Sequence, residues 1–191
     1  MSSAVAVGVL SDRWSAGWAR SAALITVGAA STGVLAQVSV PLPGTPVPLT
    51  LQTLGVLLTG AVLGSRRGLL SMLLYVGLGL VGVPWFAGHS SGFHAATAGY
   101  LVGFVAAAWL VGRQAARGQD RRFWSTVRLM VIGNLVIYAI GVPVLALALG
   151  TPLVTAIALG VLPFLLGDAI KILAAAGLLP GAWALANKER D

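Results

Sequence analysis

The chain has 191 residues, of which 58% are hydrophobic and only 9% charged, with 25 glycines and no cysteine, and its mean hydropathy is +0.93. So few polar groups cannot cover a water-facing surface, which makes this an integral membrane protein embedded in a lipid bilayer. Without cysteine there is no thiolate metal site, disulfide or cysteine nucleophile, and two histidines are too few for an all-protein zinc site, so neither metal nor cofactor is expected.

The net charge of +7 raises the question of an anionic partner, and the positions of the charges answer it. Arg13 and Arg20 precede the first apolar span, Arg66 and Arg67 lie between the second and third, Arg113 to Arg128 lie between the fourth and fifth, and Lys188 and Arg190 close the chain. The alternate connections, 41–49, 84–97 and 150–161, carry no Lys, Arg, Asp or Glu. This is the positive-inside pattern of six membrane spans with both termini cytoplasmic, and nucleic acid is not an expected partner. Residues 1–18 read as a cytoplasmic segment with only a short apolar run at 4–10 and no convincing cleavable signal. A six-helix membrane domain at 19–186 and a cytoplasmic tail at 187–191 follow.

The first span, 19–38, places Ala19 and Ala23, then Ala22, Thr26 and Ala30, four residues apart. Such small-residue faces let another helix approach closely, either within the bundle or from a partner. Residues 41–48 hold four prolines, which excludes helix interior and predicts an extended external loop, with Pro48 opening the second span, 48–64. That span and the next two, 68–83 and 97–112, are each roughly 24–26 Å long at about 1.5 Å per residue. A bilayer core is about 30 Å thick. If arginines hold their inner ends, the outer ends stop short and floor an outward-facing basin, lined by residues 41–49 and 84–96.

The second of those loops runs Pro84-Trp85-Phe86-Ala87-Gly88-His89-Ser90-Ser91-Gly92-Phe93-His94. Its aromatic, hydroxyl and imidazole groups suit a small, partly polar ligand, although Trp85 and Phe86 also fit an interfacial belt. The fifth span, 126–149, contains Asn134, Tyr138 and Pro143; 151–160 reads as a short external helix or re-entrant cap; and Pro163 starts the sixth span, about 162–185.

Asp168 and Lys171 lie in the outer half of that last span and are the only acid and base placed within the apolar depth. A charge there costs roughly 2.5–3.5 kcal/mol, so the pair is a candidate site. Three residues apart they share a helix face. They can address one ligand, brace the bundle as an internal ion pair, or relay a proton.

Four segments, 40–54 (VPLPGTPVPLTLQTL), 82–88 (GVPWFAG), 99–104 (GYLVGF) and 162–171 (LPFLLGDAIK), together resemble the BioY family of biotin-specific substrate-binding (S) components of energy-coupling factor (ECF) transporters. The resemblance runs from about residue 22 to 179. It implies a six-helix S-component fold in the cell membrane, high-affinity biotin capture for uptake, and no catalytic activity. It also implies partners: a transmembrane coupling protein and two cytoplasmic ATPases, which would use the ATP, since this chain has no phosphate-binding loop. In that light Ala22-Ala23 and the stripe from Ala19 to Ala30 resemble the family's docking face. Lys171 is expected to pair with the biotin carboxylate and Asp168 to accept from the ureido N–H groups. Thr50, Gln52, His89, Ser90 and Tyr100 are candidates for further hydrogen bonds, with Trp85 and Phe93 as apolar walls.

The sequence departs from many relatives at 95–100, reading AATAGY where they read GPTGGY, and carries His89 and His94 where small residues are common. Other readings stay open: an S component for another small carboxylate vitamin, a stand-alone channel or proton-coupled carrier, or an intramembrane enzyme using His89 or His94 with Asp168.

Overall fold

The computed structural model describes residues 8–13 and 17–188. Most of the N-terminal apolar run at 4–10 and the tail beyond Lys188 lie outside the described residues. Among the described residues the regular structure is helical apart from one small hairpin: α1 (Trp18–Ala36), β1 (Ser39–Val40), β2 (Leu49–Thr50), α2 (Gln52–Leu80), α3 (Ala95–Ala115), α4 (Phe123–Leu149), α5 (Leu153–Gly160) and α6 (Leu165–Lys188). Among the described residues, five helical stretches are long and apolar enough to cross a membrane: the four long helices α1 to α4 and Leu153–Lys188.

α2 is not one rod. Gly64 interrupts it at φ 82°, ψ 176°, a conformation open essentially to glycine alone. A Cβ on Gly68 would lie 3.0 Å from the Cα of Gly60, whereas eight residues of straight helix separate two Cα atoms by about 12 Å. The chain therefore reverses at Gly64, and α2 is a helical hairpin with arms at 52–63 and 65–80. α3 lies against this reversal. A Cβ on Gly112 would come within 2.4 Å of the Gly64 carbonyl carbon, so the glycine is required for contact between the two backbones.

α2 packs between α1 and α3, α3 against α4, and α4 against α5 and α6. Tyr75, Met72, Met130 and Ile137 are almost wholly buried between them. In lipid, apolar tails compete equally for such side chains, and close packing holds the helices together instead. On α1 the small residues divide into two faces. Gly28, Ala29, Thr32, Gly33 and Ala36 are buried against the bundle, whereas Ala19, Ala22, Ala23, Thr26 and Ala30 are all exposed.

Several expected boundaries move. Pro48 does not open a helix: it precedes β2, whose residues pair with β1 as Ser39↔Thr50 and Val40↔Leu49. α2 starts at Gln52, where the Thr50 hydroxyl accepts from the Gln52 N–H at 3.2 Å. α3 is 21 residues long, against 16 in the sequence-based boundary, so it is not a short span. Its last turn contains Arg113, whose guanidinium lies 5.5 Å from the centre of the Trp109 ring. The arginine runs along the helix surface and does not end it. The turn at 151–160 is the short helix α5, and Pro163 sits in a 3-10 turn, Leu162–Phe164, that leads into α6.

At the Gly64 end of the bundle a polar cluster ties the N-terminal segment, the α3–α4 connection and α6 together. Arg67 bonds Ser11 Oγ at 3.1 Å and Asp12 Oδ1 at 3.2 Å. Asp120 is fully buried and accepts from Trp183 Nε1 at 2.7 Å, while Arg121 stacks 4.2 Å over the Trp183 ring and donates to the Gly8 carbonyl at 3.3 Å. Burial pushes the Asp120 carboxyl above its ordinary range; the Trp183 N–H, a backbone N–H and Arg121 oppose the shift.

Candidate functional site

At the opposite end, a cavity of about 560 Å³ opens between the β1–β2 loop, the α2–α3 loop, the N-terminal parts of α2, α3 and α6 and the middle of α4. This is within the size range of small-molecule sites. Pro46, Val47 and Pro48 contribute one rim, and Phe86, Ala87, Ser90, Phe93 and His94 the other. Phe104, Ile137 and Phe164 form apolar walls, and Asp168 and Lys171 are the charged residues in its lining.

The pair is buried, each side chain less than a tenth exposed, with Lys171 Nζ 2.8 Å from Asp168 Oδ1. Lys171 also donates to Thr53 Oγ1 at 2.9 Å, and Tyr138 donates a hydrogen bond to Asp168 Oδ2. Each charge thus has a neutral partner as well as its counter-charge, the condition under which a buried ion pair is tolerated. Antiparallel packing of α4 and α6 sets up these contacts by bringing Tyr138 level with Asp168.

Of the residues singled out from the sequence, Thr50, Gln52, Ser90, Phe93, Tyr100, Asp168 and Lys171 all line this cavity. Gln52 donates its amide to the Tyr75 hydroxyl at 2.6 Å, and Tyr100 reaches across to the Gly160 carbonyl at 3.0 Å. Trp85 and His89 are not part of the lining. Trp85 turns to α1, against Gly33, and its Nε1 donates to the Tyr75 carbonyl at 2.9 Å, so the wall is Phe86 instead. His89 is held at φ 60° with its backbone N–H on Gln37 Oε1 at 3.0 Å, and its ring stays outside. Gln37 Nε2 also donates to the carbonyls of Trp85 and Phe86, fixing the loop to the end of α1.

The BioY family model matches residues 4–188, nearly the whole chain. The chain belongs to the BioY family. Two BioY relatives are each named "Probable biotin transporter BioY". The protein from Lysinibacillus sphaericus is 41% identical over 128 residues, 66% of this chain and 64% of its own length. That from Pyrococcus horikoshii is 42% identical over 126 residues, 64% of this chain and 72% of its own. The chain thus spans just under two thirds of the Lysinibacillus protein. A crystal structure described as the S-component for biotin from an ECF-type ABC transporter superposes with a TM-score of 0.76 over 85% of this chain and 89% of that one, at 21% identity. At that identity the likeness shows a shared fold.

Within this BioY chain, Tyr138 and Thr53 line the cavity although sequence reasoning did not single them out for it, and Phe86 and His94 line it from within the loop expected to do so. A signal for Tyr138 was available. Asn134 and Tyr138 lie four apart on an otherwise apolar helix, and polar groups on one face of a membrane helix turn toward the bundle or a cavity.

Proposed function

We propose that this chain captures biotin in the cavity above Asp168 and Lys171 and delivers it inward as the S component of an ECF transporter in the cell membrane. The observation that carries this reading is the buried, self-paired Asp168–Lys171 couple on the floor of an otherwise neutral cavity, in a chain whose relatives are named biotin transporters. The Lys171 ammonium takes the biotin carboxylate, and Asp168, aligned by Tyr138, accepts from a ureido N–H. Both contacts are charge-assisted. The amide oxygen of Gln52 and the hydroxyls of Thr50, Ser90 and Tyr100 answer the remaining polar atoms, while Phe86, Phe93 and Phe104 cover the apolar ring.

Counting the two arms of α2 separately gives six spans, and the arginine distribution puts both termini in the cytoplasm. The cavity then faces outward. The exposed small residues Ala19, Ala22, Ala23, Thr26 and Ala30, with exposed Val27 at their edge, offer a transmembrane coupling protein close helix contact. Two cytoplasmic ATPases supply the energy, and this chain performs no catalysis and needs no cofactor.

Calorimetric titration of the detergent-purified protein with biotin, beside Asp168→Asn and Lys171→Ala, tests the proposal. Tight binding near one biotin per chain, weakened roughly 10- to 150-fold in both variants, is the expected result. A folded wild-type protein that binds no biotin refutes it.

A further inference from the structure

Beside Lys171, below the main cavity, lies a second, much smaller space. It measures about 10 Å³ and is bounded by Thr53, Leu54, Leu57, Met130, Asn134, Lys171 and Ile172. That is about the smallest volume that admits one water. Asn134 is only 6% exposed, and its Oδ1 is buried without a hydrogen-bond partner among the described residues. An acceptor left in that condition costs roughly as much as a hydrogen bond gains, and native proteins fill such places with water when there is room and a donor nearby.

The donor is present. An ammonium has three protons, and Lys171 gives two of them to Asp168 Oδ1 and Thr53 Oγ1. The third is left for the small space that Lys171 and Asn134 both line. α4 and α6 run antiparallel, with Tyr138 facing Asp168. One turn back along α4 from Tyr138 is Asn134, and one turn forward along α6 from Asp168 is Lys171. The two helices thus present two polar layers, Tyr138 with Asp168 above and Asn134 with Lys171 below.

We infer that Asn134 is a positioning residue for Lys171, holding the ammonium through a single buried water in this space. Anchored from below, the ammonium keeps its place when an incoming carboxylate draws it from Asp168. A ligand that lacks the carboxylate gains nothing from the anchor. The inference rests on the reading that Lys171 receives the carboxylate of biotin.

The test titrates biotin and its neutral carboxamide into wild type, Asn134→Leu, Asn134→Ser, Lys171→Met and the double variant Asn134→Leu/Lys171→Met. Asn134→Val replaces Asn134→Leu should the larger side chain not fold. The expected result is a loss of about tenfold in biotin affinity for Asn134→Leu, the scale of one hydrogen bond to a charged group. Affinity for the carboxamide changes less than about twofold, because the anchor acts only through the ammonium. Asn134→Ser, which keeps an acceptor and leaves room for water, stays near wild type, and in the Lys171→Met background Asn134→Leu has no further effect. Equal losses for the two ligands mean that Asn134 merely supports the fold, and no loss for biotin means that the anchor does not exist; either overturns the inference. A Lys171→Met protein that still prefers biotin to the carboxamide removes the carboxylate assignment itself, and this inference with it.

Discussion

Replacing Lys171 by methionine separates two roles that a buried ion pair can have. The substitution keeps the length of the side chain and removes the cation 2.8 Å from Asp168 Oδ1. Asp168, with the Tyr138 hydroxyl as its remaining side-chain donor, is then an uncompensated carboxylate at membrane depth. Removing one member of a buried pair costs roughly 3–5 kcal/mol, whereas replacing both with neutral groups of similar size is often neutral or stabilising. Thermal unfolding in detergent is therefore expected to show a lowered midpoint for Lys171→Met and for Asp168→Asn, with most of the loss recovered in the double variant. Biotin affinity follows a different rule. In the proposed binding mode each charge makes a contact to the ligand worth about 1.5–3 kcal/mol, so each single variant is expected to bind roughly 10- to 150-fold more weakly. The double variant, with both contacts gone, binds no better than either. Calorimetric titration of the same samples reads this directly. Were the double variant to regain affinity along with stability, the pair would be a brace for the bundle and the binding assignment would fail.

Three other perturbations probe the parts that build the site. Gly64→Ala forces an L-residue to φ 82°, ψ 176° and should lower stability by roughly 1–3 kcal/mol, read as a lower unfolding midpoint; an unchanged midpoint would refute the hairpin geometry. For Asp120 the folded pKa is raised above its ordinary value of 3.8, so its contribution is greatest below that value and is lost as pH rises through the folded pKa. Asp120→Asn keeps an acceptor for Trp183 Nε1 and removes the charge. It should match or exceed the wild-type midpoint at neutral pH and flatten its fall across the acidic range, as measured by melting at a series of pH values. Ala22→Leu with Thr26→Leu fills the exposed stripe on α1 and touches no cavity residue. Biotin titration should be unchanged, while co-purification with a coupling protein and cellular uptake fall.

What the sequence reveals about the site follows from the range of each interaction. Asp168 and Lys171 stand out because a charge in an apolar stretch is conspicuous without any knowledge of neighbours. The prolines at 41–48 and the glycines at 82–92 mark loops for the same local reason, and the reversal between the second and third spans is flagged by Arg66 and Arg67. Trp85 and Phe86 are adjacent and chemically alike, yet one braces α1 and the other faces the cavity. That choice is made by the space above Gly33, a residue more than fifty positions away with no mark in the local pattern. The spacing of Asn134 and Tyr138 marks a polar face on α4, but the pairing of Tyr138 with Asp168 is not legible, because the partner of its hydroxyl is on another helix. α3 exceeds the expected 97–112 at both ends: it begins at Ala95, and Arg113 does not end it, because its long side chain lies against Trp109 while the helix continues to Ala115.

The mutual neutralisation of Asp168 and Lys171 has an electrical consequence. The empty cavity floor carries no net charge, and a ligand bearing one carboxylate brings the loaded site to minus one. Return of the empty site across a membrane is then indifferent to voltage. Inward passage of the loaded site is opposed by an inside-negative potential, by at most about 2.3 kcal/mol per 100 mV. In the proposed cycle membrane voltage acts as a brake on delivery and not as its engine, so the work of moving the loaded site inward has to come from elsewhere, which the proposal assigns to partner subunits.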